Sequence, residues 1–175
     1  MKKLKLEELG RISVEEFKEV EKIPVVVILD NVRSMHNIGS VFRTSDAFLI
    51  QKIYLCGITA TPPHKEIRKT ALGATESVDW EYMEDIHQLI SQLKAENFQI
   101  LSIEQVQGSK SLSEFPIEPG EKYALILGNE VEGVQQSVID KSDACIEIPQ
   151  GGTKHSLNVS VCAGIVLWEF YNELK

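Results

Sequence analysis

The sequence predicts an α/β domain with a mostly parallel sheet flanked by helices. Three observations carry that prediction. Short runs of β-branched and aliphatic residues recur along the chain, as at residues 24–30 (PVVVILD), 98–103 and 123–127, and such runs favour buried strands. Between them lie stretches with apolar residues at helical spacing, such as Ile86, Leu89, Ile90 and Leu93. The alternation of the two patterns over the whole chain is what βα units on a parallel sheet produce.

The elements follow in order. Ser13 and Glu16 have the form of a capping box, in which each side chain serves the other's backbone N–H. They open a helix to about residue 21, with Val14 and Phe17 on one face. Residues 1–22 thus read as an N-terminal helical appendage to a domain at 23–175. Residues 24–30 form the first strand. Residues 31–38 are polar and turn-like, and 39–48 are helical. A strand at 52–56 ends at Gly57. The TPPH stretch at 61–64 is a loop, and 65–72 is a short helix closed by Gly73. Residues 78–82 form a strand, 83–97 a helix and 98–103 a strand. The strand at 123–127 ends at Gly128. A short helix at 134–139 precedes a strand at 145–148, which Pro149 ends. Residues 158–174 form a helix that is apolar almost all round as far as Phe170, the pattern of a buried helix.

Composition sets outer limits. The 175 residues suffice for one domain with a sizeable core, and 43% hydrophobic with 25% charged residues excludes a disordered chain. The lysines of the N-terminus precede no apolar stretch, so they do not open a signal peptide. Cys56, Cys145 and Cys162 are widely spaced in apolar contexts, with no CxxC or Cys/His cluster. They read as buried reduced thiols of a cytoplasmic protein, and no metal is expected. A net charge of −8 opposes nucleic-acid binding by the body as a whole. Screening beyond about 8 Å nevertheless lets a local basic patch act alone. Lys65, Arg68 and Lys69 cluster, and Arg33, Arg43 and Lys154 lie in motif-bearing segments.

Three segments carry chemistry. In LGNEVEG, residues 127–133, two glycines after a strand end let backbone approach a ligand, at the end of the sheet where α/β ligands bind. It is neither a P-loop nor GxGxxG, and a tight strand–helix turn explains it equally well. In HNIGSVFR, residues 36–43, Arg43 offers a fork of donors for phosphate, unless it is simply a surface arginine. In GGTKHSLNVS, residues 151–160, Ser156 and Asn158 fit either a ligand or the cap of the next helix. His155 and Ser156 are adjacent, which suits no catalytic dyad, and the GxSxG elbow of a hydrolase is missing.

Taken together and in order, NIGSVFR, LGNEVEG and IPQGGTKHSLNVSVCAGI resemble the three signature motifs of the SpoU family of RNA ribose methyltransferases, in the SPOUT superfamily. The resemblance runs from about Val25 to the C-terminus. It implies a C-terminal deep trefoil knot, which would break the usual rule against threading, and a SpoU-type methyltransferase domain over 23–175. It implies S-adenosylmethionine (AdoMet) as cofactor, held by Leu127, Gly128, Glu130, Gly133, Ile148, Pro149, Ser156 and Leu157. It implies methyl transfer to a ribose 2′-hydroxyl of tRNA or rRNA. Arg43 would hold the target phosphate and stabilise the developing alkoxide, since arginine stays protonated. Asn37 and Glu130 would orient Arg43, and Ser156 and Asn158 would fix the loop and bond the ribose. It implies a homodimer through the C-terminal helix. Neither a separate N-terminal RNA-recognition domain nor a basic C-terminal extension is expected. The competing expectations are a non-catalytic RNA-binding or assembly factor that keeps the fold, and a nucleotide-binding oxidoreductase, which the missing GxGxxG disfavours.

Overall fold

The computed structural model describes the backbone of residues 1–175 and all side chains but that of Leu6. Seven strands form one sheet: β1 (Ile23–Asp30), β2 (Ile50–Cys56), β3 (Trp80–Met83), β4 (Phe98–Ile103), β5 (Lys110–Ser111), β6 (Lys122–Leu127) and β7 (Ala144–Glu147). Their order is β3-β2-β1-β6-β4-β7-β5, and every pairing is parallel. The helices are α1 (Val14–Glu19), α2 (Met35–Ala47), α3 (Lys65–Ala71), α4 (Ala74–Ser77), α5 (Ile86–Ala95), α6 (Gln136–Ile139) and α7 (Val159–Leu174).

Strand alternation divides the core in two. Val25, Val27 and Leu29 of β1 face a larger cluster that takes in α2, α3 and α7. Val26 and Ile28 face a second cluster built with α5 and α6. Both sides of β1 are therefore covered, which is why it reads as a continuous apolar run rather than an alternating one. Phe17 of α1 is buried in the larger cluster, and α1 carries the expected cap: Ser13 Oγ accepts from the Glu16 N–H at 3.1 Å while the Glu16 carboxylate accepts from the Ser13 N–H at 2.7 Å. Gly39 marks the closest approach of α2 and α3. A Cβ there would lie 2.2 Å from the Ile67 carbonyl oxygen and 2.2 Å from Thr70 Oγ1.

Four features differ from the sequence expectations. Helix α2 begins at Met35, inside the stretch expected to be a turn, because Ser34 caps it and a distant carboxylate holds the N–H groups of Arg33 and Ser34 just before it. Gly73 does not end the helical region: Leu72 takes the left-handed turn at φ 50°, and Gly73 leads into α4. The short strand β5 lacks a sequence signature, since only two residues pair. Helix α7 is not buried all round. Val159, Ala163, Val166, Leu167 and Phe170 are buried, whereas Val161, Ile165 and Trp168 are exposed, Trp168 at 52%.

Candidate functional site

The carboxyl ends of three adjacent strands, β6, β4 and β7, open onto a cleft of about 680 Å³. That volume is within the ordinary range for small-molecule sites. Leu127 ends β6, Ile103 ends β4, and Ile146 with Ile148 brackets the end of β7. The 128–134 loop forms one wall and the segment leading into α7 forms another.

The loop at 128–133 is fixed by its own backbone. Asn129 and Gly133 exchange two N–H···O bonds of 3.1 and 2.9 Å. The Asn129 amide oxygen accepts from the Val131 and Glu132 N–H groups, and its amide nitrogen donates to the Asn31 carbonyl at 2.8 Å. Gly128 is required here for a reason particular to this turn. A Cβ at Gly128 would lie 2.3 Å from both the carbonyl carbon and oxygen of Gly133, so the missing side chain makes room for the loop itself. Gly133 has φ 68°, a left-handed conformation that glycine adopts without strain.

Glu130 projects from this loop to the start of α2. One carboxylate oxygen accepts the Arg33 N–H at 2.9 Å. The other accepts the Ser34 N–H at 2.9 Å and the Asn37 amide at 3.1 Å. Burial pushes the Glu130 carboxyl up. The N–H groups of Arg33 and Ser34, its own backbone and the Asn37 amide outweigh that and hold it below the usual carboxylate value. Glu130 is therefore an anion at a helix N-terminus, a favourable position for one.

A carboxylate can only accept, so Asn37 must turn its NH₂ toward Glu130. Its oxygen is left to accept from Asn158 Nδ2 at 3.2 Å and Ser160 Oγ at 3.5 Å. The Asn158 oxygen in turn caps α7, accepting from the N–H groups of Ser160 and Val161 and from Ser160 Oγ at 2.7 Å. One directed chain of hydrogen bonds thus runs Glu130–Asn37–Asn158–Ser160 and joins all three sequence segments.

Of the eight residues expected to hold a cofactor, Leu127, Gly128, Glu130, Gly133, Ile148, Ser156 and Leu157 line the cleft, and Pro149 does not. Of the five expected at the reaction centre, Glu130, Asn37 and Asn158 are hydrogen-bonded together, and Ser156 lies on the cleft wall. Arg43 is exposed on α2, outside the cleft lining, and has no hydrogen-bonded or ion-paired partner among the described residues. Helix α3, which packs on α2, exposes Lys65, Arg68 and Lys69, while Glu66 bonds both Lys69 Nζ at 2.8 Å and His36 Nε2 at 2.9 Å.

Sequence reasoning missed Glu104 and Gln105. Both line the cleft directly beyond β4. Glu104 accepts the N–H groups of Gln105 and Val134, each at 2.9 Å. Gln105 Nε2 donates to the His155 carbonyl at 3.0 Å, tying the β4 end to the third motif. The available signal was a charged residue immediately after an apolar strand, at the end of a parallel sheet where ligands bind. Ser160 was also missed, though it lies within the SLNVS string. Among the described residues, no group of three or more His, Cys, Asp and Glu could hold a metal ion, and no helix is long and apolar enough to cross a membrane.

The family model described as SpoU rRNA Methylase matches residues 24–168. A putative TrmH family tRNA/rRNA methyltransferase of Staphylococcus aureus is 29% identical over 156 residues, or 89% of this chain. The match spans 62% of that relative's length. Among solved structures, an A. aeolicus TrmH/SpoU tRNA modifying enzyme superposes with a TM-score of 0.81 at 28% identity, covering 91% of this chain and 81% of that one. An AdoMet-bound rRNA methyltransferase from Sinorhizobium meliloti gives a TM-score of 0.82 at 25% identity, covering 91% and 60%.

Proposed function

The chain belongs to the SpoU rRNA Methylase family, and from that premise we propose that it transfers a methyl group from AdoMet to a ribose 2′-hydroxyl of tRNA or rRNA. The observation that carries the proposal is the hydrogen-bond chain Glu130–Asn37–Asn158–Ser160 beside a cleft of about 680 Å³.

The cleft fits the cofactor on its own terms. Leu127, Ile148 and Leu157 offer apolar surface for an adenine ring. When bound, the cofactor supplies an electrophilic methyl group. The chain's residues do the rest. The Glu130 anion fixes Asn37, Asn37 fixes Asn158, and Asn158 fixes the start of α7, so the polar groups are aligned before the RNA arrives. Arg43, free of internal partners, is available to bind the phosphate next to the target ribose and to stabilise negative charge developing on its 2′-oxygen. Ser156, exposed on the cleft wall, is within the segment that would meet the ribose. The exposed Lys65, Arg68 and Lys69 supply the local positive charge that an acidic body needs to approach RNA.

The exposed apolar residues Val161, Ile165 and Trp168 of α7 support a homodimer through that helix. We further propose that the path from β6 through the 148–158 segment into α7 is the knotted part of the fold, that residues 23–175 form the methyltransferase domain with 1–22 appended, and that the protein acts in the cytoplasm.

Incubation with methyl-labelled AdoMet and total RNA, followed by digestion to nucleosides, tests the proposal. The expected product is a 2′-O-methylnucleoside, and Arg43→Ala should abolish it while AdoMet still binds. A base-methylated product would refute the ribose assignment. Cofactor binding without product from any RNA pool would instead favour a non-catalytic RNA-binding factor.

A further inference from the structure

We propose that Glu104 gives the cleft its preference for a cationic adenosyl ligand over the neutral product left after methyl transfer. This rests on the AdoMet reading above. In that reaction the sulfur–methyl bond breaks with its electron pair staying on sulfur, a carbon–oxygen bond forms to the ribose 2′-oxygen, and the hydroxyl proton leaves to solvent. A sulfonium cation thereby becomes a neutral thioether, and the charge on the cleft wall decides how differently the two are held.

That wall is one-sided. Glu104, Glu130, Glu132 and Glu147 line it, no Lys or Arg does, and His155 is its one basic side chain. The four carboxylates are not equivalent: Glu147, though half-buried, has no hydrogen-bond donor holding its carboxylate among the described residues. Glu130 faces the start of α2, where the Arg33 and Ser34 N–H groups and the Asn37 amide absorb its charge. Glu132 is exposed and screened by solvent. Glu104 is half-buried and held in place by two backbone N–H groups. Its carboxylate oxygen occupies space that a Cβ on Gly133 would enter at 2.1 Å, so the loop is shaped around it. Burial first, and then the Glu104 charge, push up the thiols of Cys145 and Cys162, the second to about 11. Glu104 thus acts on Cys162, which lines the same cleft. A fixed anion inside a partly dehydrated site attracts a cation more strongly than one in water, and a neutral thioether gains nothing from it.

Titration calorimetry on the full chain with AdoMet and with S-adenosylhomocysteine tests this, using the native protein, Glu104→Gln and Glu104→Asp. Glu104→Gln should lower the AdoMet to S-adenosylhomocysteine affinity ratio about three- to tenfold. Glu104→Asp, which keeps the charge, should hold the ratio within about twofold of native. If both variants weaken both ligands equally, Glu104 is only a brace for the loop and the proposal is overturned. If the native protein binds neither ligand, the AdoMet reading itself fails, an outcome separate from an unchanged ratio.

Discussion

Replacing Glu130 with glutamine changes almost no volume and removes one charge, so it isolates what the carboxylate does. Glu130 accepts three N–H groups: Arg33 and Ser34 at 2.9 Å and the Asn37 amide at 3.1 Å. Glutamine has one acceptor oxygen. Whichever way it turns, its NH₂ must face at least one of those donors. Hydrogen bonds to a charged group are worth about 1.5–3 kcal/mol each when shielded. With partial exposure discounting that by half, loss of the Arg33 bond and of the charge behind the other two amounts to about 2 kcal/mol. For a chain of this length the corresponding fall in Tm is roughly 4–8 °C. The sign with pH is fixed by the direction of the shift. The folded-state Glu130 value lies below the unfolded one. Its contribution is therefore fully present above the unfolded value and is lost as pH falls through the folded value. Thermal denaturation followed by circular dichroism should show the native–variant gap at pH 7, narrowing under acid. A gap below about 1 °C at pH 7, or one that does not shrink in acid, would refute the idea that an ionised Glu130 clamps the start of α2.

Gly128→Ala drives a Cβ to 2.3 Å from the Gly133 backbone; the loop must move, and a loss of at least about 2 kcal/mol with weaker AdoMet binding is expected in denaturation and calorimetry. The Cys162 thiol, pushed up to about 11 by burial and then by Glu104, stays protonated at neutral pH. Its alkylation by iodoacetamide at pH 8 should be about two orders of magnitude slower in the folded than the unfolded chain, and comparable rates would contradict this. Trp168→Glu, placed on the exposed apolar face of α7, should convert a dimer to monomer in light scattering after gel filtration; a native protein that is already monomeric removes the proposed interface.

The fold was legible where local pattern and tertiary context agree. The residue 24–30 run reads as a strand because both its faces are covered, and Ser13 with Glu16 reads as a cap because every partner is within three residues. It was illegible where a distant group decides. Residues 31–38 look like a turn, yet Met35 starts a helix because Glu130, 96 residues from Ser34, holds the Ser34 N–H. No local propensity records that. The face of α7 carrying Trp168 poses the converse problem. Hydropathy states that it avoids water, but not whether the chain's own core or another surface covers it.

The site shows the same division, and it explains why three separately weak motifs are strong together. Asn158 by itself is a helix cap, and in the structure it does cap α7. Asn37 by itself is a polar residue in the first turn of α2. An amide can present oxygen or nitrogen with similar ease, and two fixed groups decide it here: the α7 N–H groups, which can only donate to Asn158, and the Glu130 carboxylate, which can only accept from Asn37. The carboxylate removes that freedom: Asn37 must donate to it, must then accept from Asn158, and Asn158 must present its own oxygen to α7. The orientation of Asn37 is therefore set jointly by an acid more than ninety residues away and by the capped start of α7. A local search finds caps and turns in these segments because they contain caps and turns; only the requirement that donors and acceptors alternate along the whole chain makes Asn37, Glu130 and Asn158 a single unit.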